Sequence, residues 1–213
     1  MLGSLTRQPL EEASPPAGYA TVTARGESEI RSPSSRQTDC CIVGGGPAGV
    51  VLGLLLAREG VSVTLLEAHK DFDRKFRGNT INSSVMEVMA ELGLADRLLE
   101  LRHAEISRLT IQVAGSSTVF ADFRRLKTRY PYVLMLPQTS FLELLASEAR
   151  RCPNFRLIMG ARVKELIEED GVVRGVRYRT ADGACEVRAT LTVGADGRFS
   201  QVRRLAGLKP LKS

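Results

Sequence analysis

The chain has 213 residues, 43% of them hydrophobic and 25% charged, which suits a folded protein with a sizeable core and argues against a disordered one. Its formal net charge of +6 is concentrated after residue 39, in RKFR, RRLKTR, ARR and VRR patches. These patches have few aromatics between them and no accompanying DNA- or RNA-binding motif. They read as solvated faces that also attract an anionic ligand, not as a nucleic-acid surface. No apolar run has the length of a membrane span. The four cysteines, Cys40, Cys41, Cys152 and Cys185, show no metal-binding spacing, so reduced thiols in a cytoplasmic protein are expected.

Residues 1–37 read as a disordered tail, rich in Ser, Thr, Pro, Gly and Glu. They contain no hydrophobic core of a secretory signal, and Glu11, Glu12, Glu27 and Glu29 argue against a transit peptide. Organisation begins at residue 38. Residues 38–43 are mostly small or β-branched and apolar, as a buried parallel strand requires. The next six, Gly44, Gly45, Gly46, Pro47, Ala48 and Gly49, contain GxGxxG. Gly44 permits the tight turn, Gly46 lets bare backbone approach a diphosphate, and Gly49 lets the following helix pack close to the sheet. That helix is predicted over residues 47–58, with Pro47 in its first turn, where a missing N–H costs nothing. Its open N–H groups and positive dipole end suit an anion. Gly60 closes it, and a second strand follows over residues 61–66. Glu67, 18 residues after Gly49, stands at the end of that strand with Ala68 beside it. A carboxylate there accepts hydrogen bonds from the two ribose hydroxyls of an adenosine and repels a 2′-phosphate.

Residues 69–82 form a polar, basic loop in which Arg77 is the candidate for a diphosphate contact. Ser84 and Glu87 fit a capping box for a helix with Val85, Val88, Met89 and Leu92 as its apolar stripe; Gly93 breaks it before a short helix over residues 95–101. Residues 106–114 and 118–123 alternate as a hairpin turning at Gly115-Ser116, and residues 132–136 add a third strand to the same antiparallel patch. Gln138 opens a helix with Phe141, Leu144, Leu145 and Ala149 on one face. Residues 155–159 return as a parallel strand. Segments 161–168, 172–180 and 184–190, punctuated by Asp170-Gly171 and Asp182-Gly183, read as a β-meander that crosses over to a separate apolar strand at 191–195. That strand ends in a turn at Asp196 and Gly197, followed by a helix over residues 199–206. An aspartate at this place either faces a ligand at the strand end or caps the helix.

In order, GGGPAG, Glu67, FRGNTINSSVMEVMAELGL, LPQTSFLELLASEA and VGADGRFSQVRRLAGL resemble the N-terminal half of FAD-dependent monooxygenases of the p-hydroxybenzoate hydroxylase-like class, over residues 38–208. The resemblance implies a Rossmann-like FAD/NAD(P)-binding α/β domain. A β-meander crossover and an incomplete antiparallel substrate-domain sheet, residues 104–136, belong to it. The glycine turn with Pro47 and Ala48 would wrap the FAD diphosphate, Glu67 would bind the ribose, and Arg77 would contact the cofactor. Gln138 would lie near the flavin, the Val163 backbone would meet the adenine, and Asp196 with Gly197 would reach the diphosphate or ribityl region. The implied reaction takes electrons from NAD(P)H and uses O₂ to hydroxylate a small organic substrate. The implied alternatives are a flavin-dependent reductase or halogenase of the same fold, or a non-catalytic nucleotide-binding remnant. His69 and His103 receive no role. Asn79 and Asn82 depart from the more usual Asp and His, and no GDAAH-type motif follows. A truncated product is therefore expected, one that holds FAD weakly unless a partner chain supplies the second half.

Overall fold

A computed structural model describes residues 35–73 and 80–209. In chain order the elements are β1 (Ser35–Val43), α1 (Pro47–Arg58), β2 (Val63–Leu66), β3 (Thr80–Ile81), α2 (Ser83–Glu91), α3 (Ala95–Leu99) and β4 (Ala104–Ile106). Then come β5 (Arg108–Val113), β6 (Ser116–Asp122), β7 (Val133–Met135), α4 (Gln138–Ala149), β8 (Phe155–Ile158), β9 (Arg162–Glu169), β10 (Val172–Thr180), β11 (Gly183–Gly194) and α5 (Gln201–Leu205).

The main sheet has the order β8-β2-β1-β11-β10-β9. Its first four strands are parallel, and β10 and β9 continue it antiparallel. This is the Rossmann-like α/β arrangement with an appended meander. β1 begins three residues before the expected start, because Ser35, Arg36 and Gln37 continue alongside Glu186, Val187 and Arg188. The expected separate strands at 184–190 and 191–195 are one twelve-residue strand, β11. β1 runs beside almost its full length, so the ladder never breaks and no crossover is needed there.

Apolar burial explains the layering. Ile42, Leu65, Val50, Leu54 and Leu145 are fully buried between the sheet and the α1/α4 layer. Val43, Leu66, Val163, Val176 and Val187 form a second cluster against the meander. Helix α1 packs close because Gly53 carries no side chain: a Cβ there would lie 2.8 Å from Phe155. The Asn154 amide then ties the layers by donating to the carbonyls of Ala57 (2.9 Å) and Val61 (2.6 Å).

Two smaller sheets stand apart from the main one. The expected three-stranded patch is divided: β7 lies between β3 and β4, while β5 and β6 pair only with each other. The hairpin turns at Ala114 and Gly115, one residue earlier than expected, with φ of 48° and 83° as a type I′ turn requires. Helix α2 also differs from expectation. Asn82, not Ser84, caps it, its Oδ1 accepting from the Val85 N–H at 3.0 Å. The Glu87 carboxylate is drawn away to the Thr128 hydroxyl and to the Arg129 N–H. The inward face carries Met86 and Met89, leaving Val88 39% exposed.

Candidate active-site cleft

The carboxyl ends of β1, β2 and β11 converge on one edge, where open α/β sheets hold their ligands. Backbone bonds fix their relation: Gly44 N–H donates to Leu66 O (2.8 Å), Ala195 N–H to Val43 O (2.7 Å), and Ala161 N–H to Glu67 O (2.8 Å). Between them lies a cleft of about 660 Å³, within the roughly 300–1,000 Å³ usual for small-molecule sites.

The glycine turn forms one wall. Gly44 has φ of +112°, and a Cβ there would lie 2.5 Å from Ala195 O. At Gly49 a Cβ would fall 1.9 Å from Gly44 O, so this residue is the contact on which the helix closes against the strand. At Gly46 the situation reverses: among the described residues a Cβ would meet nothing within 4 Å, since Gly46 lines the cleft. Gly46 is also the extended residue before α1, and among the described residues no side chain caps that helix. Bare backbone and an uncapped, positively polarised helix end therefore meet at one point.

Glu67 is 3% exposed and is held from two directions. Its Oε2 accepts from the Gly45 N–H at 2.7 Å, and its Oε1 accepts from the His69 N–H at 2.9 Å. The His69 Nδ1 lies 2.6 Å from the same Oε1. Opposite, β9 alternates Arg162, buried Val163 and Lys164, and α5 adds Arg204, whose Nη2 donates to Gln201 at 2.5 Å. Phe199, 83% exposed, stands at the rim. The cleft thus combines an acidic group at the end of β2 with cations from β9 and α5, the distribution suited to a ribose and a diphosphate.

Asp196 lines the cleft, but its carboxylate is engaged by α5. Oδ2 accepts from the Gln201 and Val202 N–H groups at 2.6 and 3.1 Å, and Oδ1 accepts from the Ser200 hydroxyl at 2.5 Å. The helix-capping role raised by the sequence is therefore present. Ser200 completes it by accepting from the Arg203 N–H at 2.9 Å.

Gly44, Gly46, Pro47, Ala48, Glu67, Ala68, Val163, Asp196 and Gly197 are brought into the one cleft, with Gly45 and Gly49 directly behind its wall. Gln138 is not among them. It lines a smaller hollow of about 130 Å³ with Thr80, Ile81, Val85, Leu136 and Phe141, which adjoins the cleft through Pro47. Arg77 lies outside the described residues. Sequence reasoning missed His69, Arg162, Lys164 and Arg204. The alternation around Val163 was a legible signal for the two β9 cations; the pairing of His69 with Glu67 was legible only as proximity. Beneath this site, burial pushes the Cys41 thiol up to about 12. Among the described residues no cluster of acids, histidines or cysteines suits a metal ion, and no helix is long and apolar enough to cross a membrane.

Comparison with known proteins agrees with the geometry. The FAD binding domain family matches residues 37–213. The chain is 39% identical over 171 residues to 6-methylpretetramide 4-monooxygenase of Streptomyces rimosus, covering 80% of this chain and 41% of that protein. It is 36% identical over 176 residues to rifampicin monooxygenase of Streptomyces venezuelae, covering 80% of this chain and 34% of that one. Among solved structures, p-nitrophenol 4-monooxygenase of Pseudomonas putida superposes with a TM-score of 0.73 at 26% identity, over 82% of this chain and 45% of that one. The chain therefore spans less than half the length of the relatives it matches. The glycine turn, the buried acid at the end of β2 and the match from residue 37 onward lead to one assignment: the chain belongs to the FAD binding domain family.

Proposed function

We propose that this chain supplies the nucleotide-gripping part of an FAD-dependent monooxygenase that takes electrons from NAD(P)H and uses O₂ to hydroxylate a small organic, aromatic-type substrate. The observation that carries the reading is the cleft in which the open face of Gly46, the uncapped N-terminus of α1 and the buried Glu67 carboxylate converge. Support for the reaction class comes from the relatives, which by name act on 6-methylpretetramide, rifampicin and p-nitrophenol.

In this reading the backbone of residues 44–49 holds the diphosphate, and Glu67 with Ala68 holds the ribose. Val163 borders the adenine, while Asp196 and Gly197 close the diphosphate side. Gln138 and its hollow, on the other side of Pro47, extend toward the ring end. Asp196 acts by shaping: its carboxylate anchors α5, which in turn presents Arg204 to the cleft. Arg162 and Lys164 add positive potential that draws in the anionic cofactor. The bound flavin would supply the electron transfer and oxygen activation that side chains cannot.

The test is a titration of the full chain with FAD, followed by flavin fluorescence, with ADP as competitor. Saturable quenching relieved by ADP is expected. NAD(P)H consumption is then measured with O₂ and fused-ring aromatic substrates, with product analysis for an added hydroxyl. FAD binding without product would favour a non-catalytic nucleotide-binding chain. Absence of both would refute the reading.

A further inference from the structure

One side chain in the cleft has no place in the proposed grip. His69 follows β2 on the loop that turns away from Glu67, and its imidazole is 56% exposed against 4% for the Glu67 side chain. The backbone around it is fixed, since the Gly160 N–H donates to His69 O at 2.7 Å and the His69 N–H donates to Glu67 Oε1 at 2.9 Å. The imidazole itself is held by its contact with Oε1.

The positions of these donors matter. A carboxylate oxygen has two lone-pair directions. On Oε1 one is taken by the His69 backbone N–H, which cannot leave without unfolding the turn. The other is taken by Nδ1, at 2.6 Å, carried on a ring that can rotate into solvent. A ribose hydroxyl donating to Oε1 needs the direction that Nδ1 occupies. Both Glu67 and His69 line the cleft, so ring and ribose compete for the same point.

We propose that His69 is a displaceable positioning residue: its imidazole latches Glu67 in the ribose-binding orientation, is expelled by the ribose, and makes nucleotide affinity fall at acid pH. The inference rests on the reading of this cleft as an adenosine site. Protonation turns the hydrogen bond from imidazole to carboxylate into an ion pair, which the incoming hydroxyl must then break. Among the described residues, other charged groups stand on the elements that border the ring. Lys70 and Asp71 follow it on its own loop, Arg162 and Lys164 project from β9, and Asp196 and Arg204 lie on the α5 side.

The experiment is a set of ADP and FAD dissociation constants for the full chain, the wild type beside His69→Ala, His69→Gln and Glu67→Gln. Measurements are made between about pH 8 and about pH 5.5, the range in which imidazoles in general change charge. In the wild type, affinity is expected to weaken by about two- to fivefold on acidification, the worth of a partly exposed ion pair. His69→Ala and His69→Gln are expected to flatten that dependence and to bind more tightly than wild type at the acid end, with little difference at the alkaline end. Glu67→Gln is expected to weaken binding at every pH. A wild-type affinity that rises on acidification would make the imidazolium a phosphate ligand and overturn the proposal. Retention of the pH dependence in both His69 variants would overturn it too. If Glu67→Gln changes nothing, or the wild type binds neither probe, the adenosine reading itself fails and takes the latch with it.

Discussion

The cleft edge of the main sheet and the β5–β6 hairpin show two opposite ways of being folded. At the cleft every strand end is tied to its neighbour, and the surrounding side chains are buried: Ile42, Leu65 and Val50 are at 0% exposure. The hairpin has two strands, a well-formed turn and almost no cover. Ile111 is 47%, Val113 67% and Phe120 70% exposed. The first region derives its shape from packing, so its backbone can carry a ligand site to within tenths of an ångström. The second derives its shape from local turn chemistry and pairing, which are marginal by themselves in water. The proposed site sits on the region where position is over-determined.

That contrast is open to direct attack. The largest effect is expected from Leu54→Ala, which empties a fully buried position between α1 and the sheet and should cost about 2–5 kcal/mol. Val113→Ala in the hairpin should stay within about 0.5 kcal/mol. Denaturant unfolding followed by circular dichroism separates the two, and equal losses would erase the distinction. Next comes a contrast inside the glycine turn. Gly49→Ala drives a Cβ into Gly44 O and should lower the melting temperature by several degrees. Gly46→Ala has open space, so the fold should hold while FAD affinity drops by about tenfold if the proposed diphosphate site is right, a methyl group then standing in its path. A Gly46→Ala chain that melted early would place this residue in the framework instead of the site.

The smallest effect concerns pH. The Arg97 guanidinium, with Arg151 beside it, holds the buried Glu148 carboxyl below its ordinary value of 4.5. A depressed carboxyl stabilises the fold above its unfolded pKa, and that contribution disappears as pH falls through the folded value. The tie between α3 and α4 should therefore loosen below about pH 4.5. Melting curves of wild type and Glu148→Gln should converge on acidification, and a constant gap would show that the pair contributes nothing that titrates.

What the sequence disclosed follows the same division. The βαβ unit was legible because each of its requirements is local: three glycines at fixed spacing, Pro47 at the helix start, an acid at the end of a buried strand. Long-range partners were not legible. Glu87 looked like the second half of a capping box, yet Thr128 and Arg129, more than forty positions away, claim its carboxylate. The residues of β11 changed from polar to apolar near Thr190, which resembled a break between two strands. The neighbour that removes the break, β1, lies some 150 positions earlier in the chain. His69 received no role for a related reason: a histidine two residues after an acid acquires meaning only when the loop folds its ring back onto the carboxylate.

The continuity of β11 has a mechanical consequence. Twelve residues of extended chain span about 40 Å, and this length runs from the hairpin-linked meander, through the middle of the sheet, to the Asp196 turn. β11 gives Val187 and Ala189 to the cluster against the meander and Val193 to the edge of the cluster under the helical layer. It is the keel of the molecule. A strand that touches both clusters links them, so the main sheet should resist hydrogen exchange as a single block, with β11 amides the last to open.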